Sequence, residues 1–151
     1  MSVPRSVTKI SRNGIEFTSN VDAVNYTMKE LCRAALRDVG KLVCKRFKEG
    51  YYQTFTKLSG RVGKYTQYFV KHKYEDVPYV EIGLKPNGFY GGFQELGTSK
   101  MAKLGLLASA VESNIQEIRT IESKYLSALS SEVEAYALIA DEDYEGGAED
   151  G

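Results

Sequence analysis

The sequence has few of the side chains that catalytic and metal sites usually require. Its 151 residues include one histidine, His72, and two cysteines, Cys32 and Cys44. A zinc site needs several His or Cys ligands, and a Cys–His nucleophilic pair would need His72 beside a cysteine. His72 stands between two lysines, which favours a solvent-facing position. The sequence also lacks a Walker loop and a dinucleotide fingerprint. We therefore expect no enzymatic activity, no cofactor and no metal.

Long apolar runs and a cysteine framework are missing as well. No run approaches the roughly 18 residues that cross a bilayer, and residues 1–12 lack the apolar region of a secretory signal. We expect no membrane contact. On one helix, Cys32 and Cys44 would lie about 18 Å apart, too far for a disulfide. We expect both to be mostly buried, reduced and apolar in character.

The charges cancel overall but not locally. The chain has 20 Lys plus Arg and 20 Asp plus Glu. Residues 1–74 carry a net charge of +10, and residues 75–151 carry −10. The two halves could neutralise each other within a monomer, or the basic half of one copy could meet the acidic half of the next. A third arrangement would turn the basic half toward DNA passing through a lumen.

The apolar pattern predicts a single α+β domain over residues 1–140, followed by an acidic tail over 141–151 that is flexible when the protein is unassembled. Residues 1–20 are expected to form an extended arm and a short strand. A long helix is predicted over about 21–49, ending at Gly50. One face of that helix is basic, and we expect it to be a solvated surface or a surface facing DNA or a neighbouring subunit. Its residues are Lys29, Arg33, Arg37, Lys41, Lys45 and Lys48.

Residues 51–64 resemble a loop or irregular arm with aromatic and basic side chains. The candidate contact residues in it are Tyr51, Tyr52, Phe55 and Arg61. We favour a loop that orders against a protein neighbour. The alternative is a nucleic-acid contact through ring stacking and phosphate binding.

Three strands are predicted next, over about 65–73, 79–84 and 89–95, and their short connections favour a small antiparallel meander. A second long helix is predicted from 100–106 to about 139. At roughly 50 Å it would be longer than one small domain covers. The expected fold is therefore α+β, with two long helices flanking the meander.

The segment Phe93-Gln-Glu-Leu-Gly-Thr-Ser-Lys-Met101 is the most specific in the chain. We expect a corner between strand and helix, in which Gly97 adopts a positive φ and Thr98 or Ser99 caps the following turn. Glu95 could accept hydrogen bonds from backbone amides of that turn. Glu95 and Lys100 do not form an acid–base dyad on this pattern.

This segment resembles the hallmark of a bacteriophage family, the neck or minor-tail proteins named after gene product ten of a lambdoid coliphage. In that family a strand ends in Glu-aromatic-Gly-Thr, followed by a basic residue, Met and a helix. Leu58-Ser59-Gly60-Arg61-Val62 is similar to the family's Thr-Gly-x-Leu segment, and the element order matches over roughly 20–130. This sequence departs from the family at Leu96, where an aromatic is usual, and in lacking prolines over 102–106.

The resemblance implies a structural virion protein of the head–tail junction or tail top, made in the host bacterial cytoplasm. It implies a homo-oligomeric ring, a hexamer by family analogy, that contacts connector or head-completion and tail-tube proteins. The candidate contact residues at the corner are Glu95, Gly97, Thr98, Ser99, Lys100 and Met101. The alternative is a nucleic-acid-binding module that uses the basic first helix, through Arg33, Arg37, Lys41, Lys45 and Lys48, and the 51–64 loop.

Overall fold

The computed structural model describes residues 8–12, 15–19, 21–55, 61–71 and 77–145. Its strands are β1 (Thr8–Arg12), β2 (Ile15–Ser19), β3 (Thr66–Lys71) and β4 (Tyr79–Leu84). Its helices are α1 (Val21–Thr54), α2 (Arg61–Lys64), α3 (Tyr90–Leu96), α4 (Leu106–Glu112), α5 (Ile115–Ala128) and α6 (Glu132–Glu145). A 3₁₀ turn over Pro86–Gly88 connects β4 to α3. The predicted α+β class is confirmed.

The first long helix is confirmed, but it continues past the predicted stop at Gly50 to Thr54. The apolar stripe explains the extension, because Val43, Phe47 and Tyr51 are all buried in one core cluster. The ring centroid of Tyr51 lies 6.2 Å from that of Phe47 and 4.7 Å from that of Phe55. Burial of this row outweighs the modest cost of one glycine inside a helix.

The β structure consists of two antiparallel pairs in place of a three-stranded meander. β3 pairs with β4 from Thr66↔Leu84 to Lys71↔Tyr79, which confirms two of the predicted strands. The third predicted strand, over 89–95, is wrong, because this segment forms α3. In the N-terminal region, β2 confirms the predicted short strand. The segment that was expected to be an extended arm contains a further strand, β1, which pairs with β2. Asn13-Gly14, a dipeptide that is typical of turns, stands between β1 and β2 in the sequence and lies outside the described residues.

The β3–β4 hairpin packs on α1 at a glycine. A Cβ atom added at Gly40 would lie 2.6 Å from Cδ2 of the Tyr68 ring. The missing side chain therefore lets β3 approach α1 closely. The resulting core continues through Val62 and Ala110 to the partly buried Leu106 and Leu107 of α4.

The predicted second long helix is wrong, because the segment is divided into α4, α5 and α6. The Asn114 side-chain amide donates to the Ala110 carbonyl at 2.8 Å where α4 ends, and Ser131 Oγ accepts from the Glu134 amide at 3.4 Å where α6 begins. Asn and Ser compete for backbone hydrogen bonds in this way at helix ends. The predicted continuous helix of about 50 Å therefore does not exist, and neither does the length by which it was expected to exceed one small domain.

The three helices fold back along α1. Arg46 of α1 bonds Glu117 early in α5, and Asp38, nearer the start of α1, bonds Tyr125 late in α5. The two helices are therefore antiparallel. A second core cluster joins Leu31 and Ala34 of α1 to Tyr125 and Ala135. The α6 helix extends to Glu145, so the predicted tail begins with helical residues, and its last residues, 146–151, lie outside the described part.

Candidate functional site

A tight corner follows α3. Gly97 ends the helix with φ 80° and ψ 169°, as the sequence predicted for its φ. The amide of Thr98 donates to the Met101 carbonyl at 2.8 Å, and the reverse bond measures 3.2 Å. Thr98 Oγ1 accepts from the Lys100 amide at 3.3 Å, which confirms Thr98 as a capping residue. Ser99 lies exposed in the same turn.

Glu95 fastens the corner to the next helix. Its carboxylate accepts the Leu107 amide at 2.9 and 3.1 Å and the Ala108 amide at 3.1 Å. Glu95 therefore binds backbone amides as predicted, although they belong to the first turn of α4. An anionic side chain is favourable there because the free amides and the helix dipole are both positive. The backbone amide of Leu104 also donates to the Gln94 carbonyl at 2.9 Å. The corner is thus held at several points.

Large apolar side chains are exposed around this corner. We call this set the corner surface. It consists of Phe89, Tyr90, Phe93, Leu96, Met101 and Leu104, from 37% to 77% exposed. Exposed apolar patches of this kind mark interaction sites in soluble proteins. Of these six side chains, the sequence analysis included only Met101 among its candidate contact residues. The spacing of Phe89, Phe93 and Leu96, which is helical, was the signal for the others.

An apolar groove of about 390 Å³ lies beside the corner surface, between β4, α3 and α4. Its lining includes Leu84, Phe89, Leu96 and Leu107. A Cβ atom added at Gly92, which also lines the groove, would meet nothing within 4 Å. The groove is therefore open at Gly92 and can accept side chains from outside.

The predicted basic face of α1 is not uniform. Arg33 and Arg37 are both 7% exposed, so they are largely withdrawn from solvent. Arg33 forms an ion pair of 2.7 Å with Glu30. Burial requires such charges to be paired, and these two arginines therefore belong to the packing of α1. The expectation of a solvated or DNA-facing surface is wrong for them.

Three of the four remaining lysines lie by a second groove, whereas the fourth, Lys29, is exposed nearer the start of α1. Lys41, Lys45 and Lys48 line an open groove of about 440 Å³ together with Tyr52 and Tyr68. Cys44 and Glu49 complete the lining. Lys41 also approaches Asp38 at 3.9 Å. This arrangement places cationic groups next to aromatic rings on one surface.

The predicted loop 51–64 is largely helical where it is described. Tyr51 is only 6% exposed and belongs to the core, so its ring is not accessible to a partner. Tyr52 and Phe55 are partly buried against the same cluster. Residues 56–60 and the side chain of Arg61 lie outside the described part. In the described part of this segment the aromatic rings are therefore buried or partly buried, and they do not form one exposed contact surface with the corner.

An ion pair connects the basic and acidic halves within the chain. One guanidinium nitrogen of Arg46 bonds both carboxylate oxygens of Glu117, at 3.0 and 2.8 Å. Arg46 also bonds Glu49 at 3.2 Å. Hydrogen bonding to Glu117, and then to Glu49, raises the pKa of Arg46 above its ordinary value. Part of the charge polarity is thus neutralised inside the monomer, which was one of the three expected arrangements.

The cysteines occupy different environments. Cys44 is buried and Cys32 is exposed, and both are free thiols. The expectation that both are mostly buried is therefore wrong for Cys32, which lies outside the apolar stripe of α1. Burial raises the pKa of the Cys44 thiol, and the nearby charge of Lys48 partly opposes the shift.

Within the described residues we found no group of three or more His, Cys, Asp or Glu side chains placed to hold a metal. His72 lies outside these residues. Across the same part of the chain, no helix is both long and apolar enough to span a membrane. Comparisons with models of protein families, with curated proteins and with solved structures found no match. The phage resemblance therefore stays a prediction.

Proposed function

We propose that this chain is a structural virion protein of a bacteriophage, located at the head–tail junction or the tail top. Its copies form a homo-oligomeric ring that joins connector or head-completion proteins to tail-tube proteins. The ring is a hexamer by analogy with the family that the 93–101 segment resembles. The protein is made in the host bacterial cytoplasm and acts without catalysis, cofactor or membrane contact.

The observation that supports this proposal most is the rigid corner with its apolar exterior. Glu95 and Gly97 hold the backbone in one conformation through bonds to Leu107 and through a positive φ. The same short segment exposes the apolar side chains of the corner surface and borders an open groove. A pre-organised surface of this kind binds a partner at a lower entropic cost than a mobile loop.

The second support is that the corner is built from the residue types of the hallmark that carries the family resemblance, although they follow the helix α3 here and a strand in that family. Glu95, Gly97 and Thr98 each have a physical role at the positions where the family has Glu, Gly and Thr. The corner therefore explains, from local chemistry, why those residue types stand in that order.

Assembly of the purified protein tests the proposal. Native mass spectrometry and negative-stain microscopy should show closed oligomers, alone or after mixing with the connector and tail-tube proteins of the same virus. A protein that stays monomeric at high concentration and binds neither partner would contradict it.

The groove beside α1 favours a second candidate function, binding of nucleic acid. Lys45 and Lys48 supply positive charge there, and Tyr52 and Tyr68 supply rings on which bases can stack. In a ring, such a groove could face DNA in the lumen. As a separate module, it would bind DNA without any assembly.

A salt titration of binding to a DNA fragment tests this second function. Binding through phosphates weakens steeply with salt, and loss of two contacts reduces the slope of log K against log salt by about 2. We expect that reduction for Lys45→Ser/Lys48→Ser. The matched control is Lys85→Ser/Lys124→Ser, which removes the same charge elsewhere. Equal slopes for the two double variants, or no binding at low salt, would contradict a nucleic-acid role for the groove.

A further inference from the structure

A strongly acidic segment follows the part of α6 that packs on α1. We call residues 141–151 the acidic segment, because they contain six acidic residues and no basic one. The groove lined by Lys41, Lys45 and Lys48, which we call the lysine groove, lies on α1 itself. The direction of α6 decides whether the acidic segment can reach it.

The α6 helix runs parallel to α1. It follows α5 after a short connection, residues 129–131. Ile121 of α5 and Ile139 of α6, each eight residues from this connection, pack against one core cluster around Ala34. Two helices that share a cluster over this length form an antiparallel helical hairpin. Because α5 runs antiparallel to α1, α6 points from Ala34 toward Lys41.

The lysines continue the face of α1 on which α6 packs. Ala34, Lys41 and Lys48 are spaced by seven residues, and positions seven apart lie on one face of a helix. Ala34 is buried in one cluster with Ala135 of α6. The acidic segment, which continues from α6, is therefore directed along the face of α1 that carries the lysines.

The acidic segment is also long enough to cover the groove. Lys48 lies about 21 Å from Ala34 along α1. On the other side, the helix from Ala135 to Glu145 spans about 15 Å, and residues 146–151 can span up to about 20 Å more. The combined reach exceeds the distance to the far end of the groove.

The described acids beside the lysine groove already have partners. Glu49 accepts a hydrogen bond from Arg46 at 3.2 Å, and Asp38 lies 3.9 Å from the first of the three lysines. Lys45 is exposed and Lys48 is half-buried, and neither forms an ion pair with any described residue. Two such ammonium groups on one open surface favour an anionic occupant.

A segment of the same chain has an advantage over other anions. Its attachment gives it an effective concentration in the millimolar range at a site that it can span. DNA or the acidic segment of another copy must bind from solution. The same chain is therefore the favoured source of the occupant.

We propose that the acidic segment of each chain occupies that chain's own lysine groove, with its carboxylates against Lys45 and Lys48. This position differs from the freely flexible tail that the sequence predicts. The contact itself depends on neither proposed function. Its consequence, that the segment competes with DNA for the groove, rests on the second candidate function.

Carbodiimide cross-linking of the full chain tests the contact, because this reagent joins a carboxylate to an amine only where the two touch. We expect cross-links from the acidic segment to Lys45 or Lys48, at least about fivefold more abundant than those to Lys100 or Lys103 at the corner. High salt should reduce their yield by screening the charges.

A mixture of unlabelled and ¹⁵N-labelled protein identifies the chain that supplies the segment. Cross-linked peptides of uniform label support the contact within one chain. Peptides that join a labelled and an unlabelled part would show the segment of another copy in the groove and overturn the proposal. Equal yields at all four lysines, or no cross-link to Lys45 and Lys48, would overturn it too.

Binding to a DNA fragment tests the competition. The variant Glu145→Gln/Glu149→Gln/Asp150→Asn should bind at least about twofold more tightly than Glu81→Gln/Glu112→Gln/Glu122→Gln, because apparent affinity scales with the fraction of open grooves. The second variant removes the same charge from exposed positions elsewhere. Equal affinities would overturn the competition. If no protein binds DNA, the second candidate function fails, while the cross-links still decide the contact.

Discussion

The carboxylate of Glu95 caps α4 through the backbone amide of Leu107, at 2.9 Å from one oxygen and 3.1 Å from the other. The two residues are twelve positions apart, so this cap joins the end of α3 to the start of α4 across the whole corner. Gly105, which stands at the N-cap position, provides no side chain for the task. Glu95 therefore replaces the local cap that most helices have.

Removal of this cap should destabilise the fold. Glu95→Ala leaves the amides of Leu107 and Ala108 without their charged acceptor, and we expect a loss of about 1–2 kcal/mol in the free energy of unfolding. Glu95→Gln keeps one neutral acceptor and should lose less. Glu112→Gln changes an exposed carboxylate on the same helix and should remain within about 0.5 kcal/mol. Urea denaturation compares them, and equal midpoints for all three variants would exclude the cap.

The two glycines of the corner should respond differently to substitution by asparagine. Gly97, with φ 80° and ψ 169°, adopts a conformation that is essentially restricted to glycine, and a Cβ there would lie 2.8 Å from the Lys103 amide nitrogen. Gly105, at φ 59° and ψ 32°, is in the left-handed region that asparagine tolerates. Gly97→Asn should cost about 2 kcal/mol or more, and Gly105→Asn less than about 1 kcal/mol. Thermal unfolding measures both, and equal costs would contradict the backbone geometry.

The contact between Gly40 and Tyr68 predicts opposite outcomes for two glycines of α1. Gly40→Ala places a methyl group against the Tyr68 ring and should destabilise the protein by about 1–3 kcal/mol. Gly50→Ala meets only Leu106, at an ordinary 4.0 Å, and should stabilise by about 0.5–1 kcal/mol through helix propensity.

A double-mutant cycle identifies the cause. In a Tyr68→Ala background the steric conflict is gone, so Gly40→Ala should become neutral or stabilising. A cost at Gly40 that persists without the Tyr68 ring would show that the hairpin does not pack there.

The Cys44 thiol should make stability depend on alkaline pH. Its folded-state pKa lies above that of the unfolded chain because burial disfavours the thiolate. The stabilisation is therefore complete below the unfolded pKa of about 8.5 and is lost as pH rises through the folded pKa. Unfolding free energies between about pH 8 and 10 should fall more steeply for the wild type than for Cys44→Ala.

Thiol labelling gives an independent check. An aromatic disulfide reagent should modify the exposed Cys32 quickly and Cys44 only when the chain opens. Equal rates for the two thiols in the folded protein would contradict the burial of Cys44.

Elements with strong local patterns could be predicted from the sequence. The stripe of Val39, Val43 and Phe47 predicted α1, and the alternation of Val80, Ile82 and Leu84 predicted β4 with its observed bounds. The corner was predicted because the positive φ of Gly97 and the capping hydrogen bond of Thr98 depend on only a few residues nearby in the sequence. Local chemistry thus accounts for these parts of the fold.

The errors arose where tertiary packing competes with propensity. Phe89, Tyr90 and Phe93 have high β propensity, but Gly91 fits between Leu84 and Val62 and lets this segment pack closely as a helix. The apolar stripe over 107–136 continues across two helix breaks, so periodicity alone could not find them. The pair Ser131 and Glu134 was a readable capping signal that was missed.

The candidate surfaces could be predicted only in part, because exposure depends on the packing of distant elements. Arg33 and Arg37 share a helix face with Lys41 in sequence, yet they are buried. Tyr51 looks like a loop aromatic beside Tyr52, yet it completes the core. The groove at Gly92 exists because β4 and α4 flank α3, and no local sequence pattern predicts that arrangement.

The central claim is that copies of this chain assemble through the corner. Native mass spectrometry of the wild type beside Gly92→Trp tests it most directly, because Gly92 lines the groove and a Cβ atom added there meets nothing within 4 Å. Gln116→Trp, on the exposed surface of α5, is the matched control. We predict one closed oligomer for the wild type and the control, and a monomer for folded Gly92→Trp. A monomeric wild type, or the same oligomer for all three proteins, would contradict the claim.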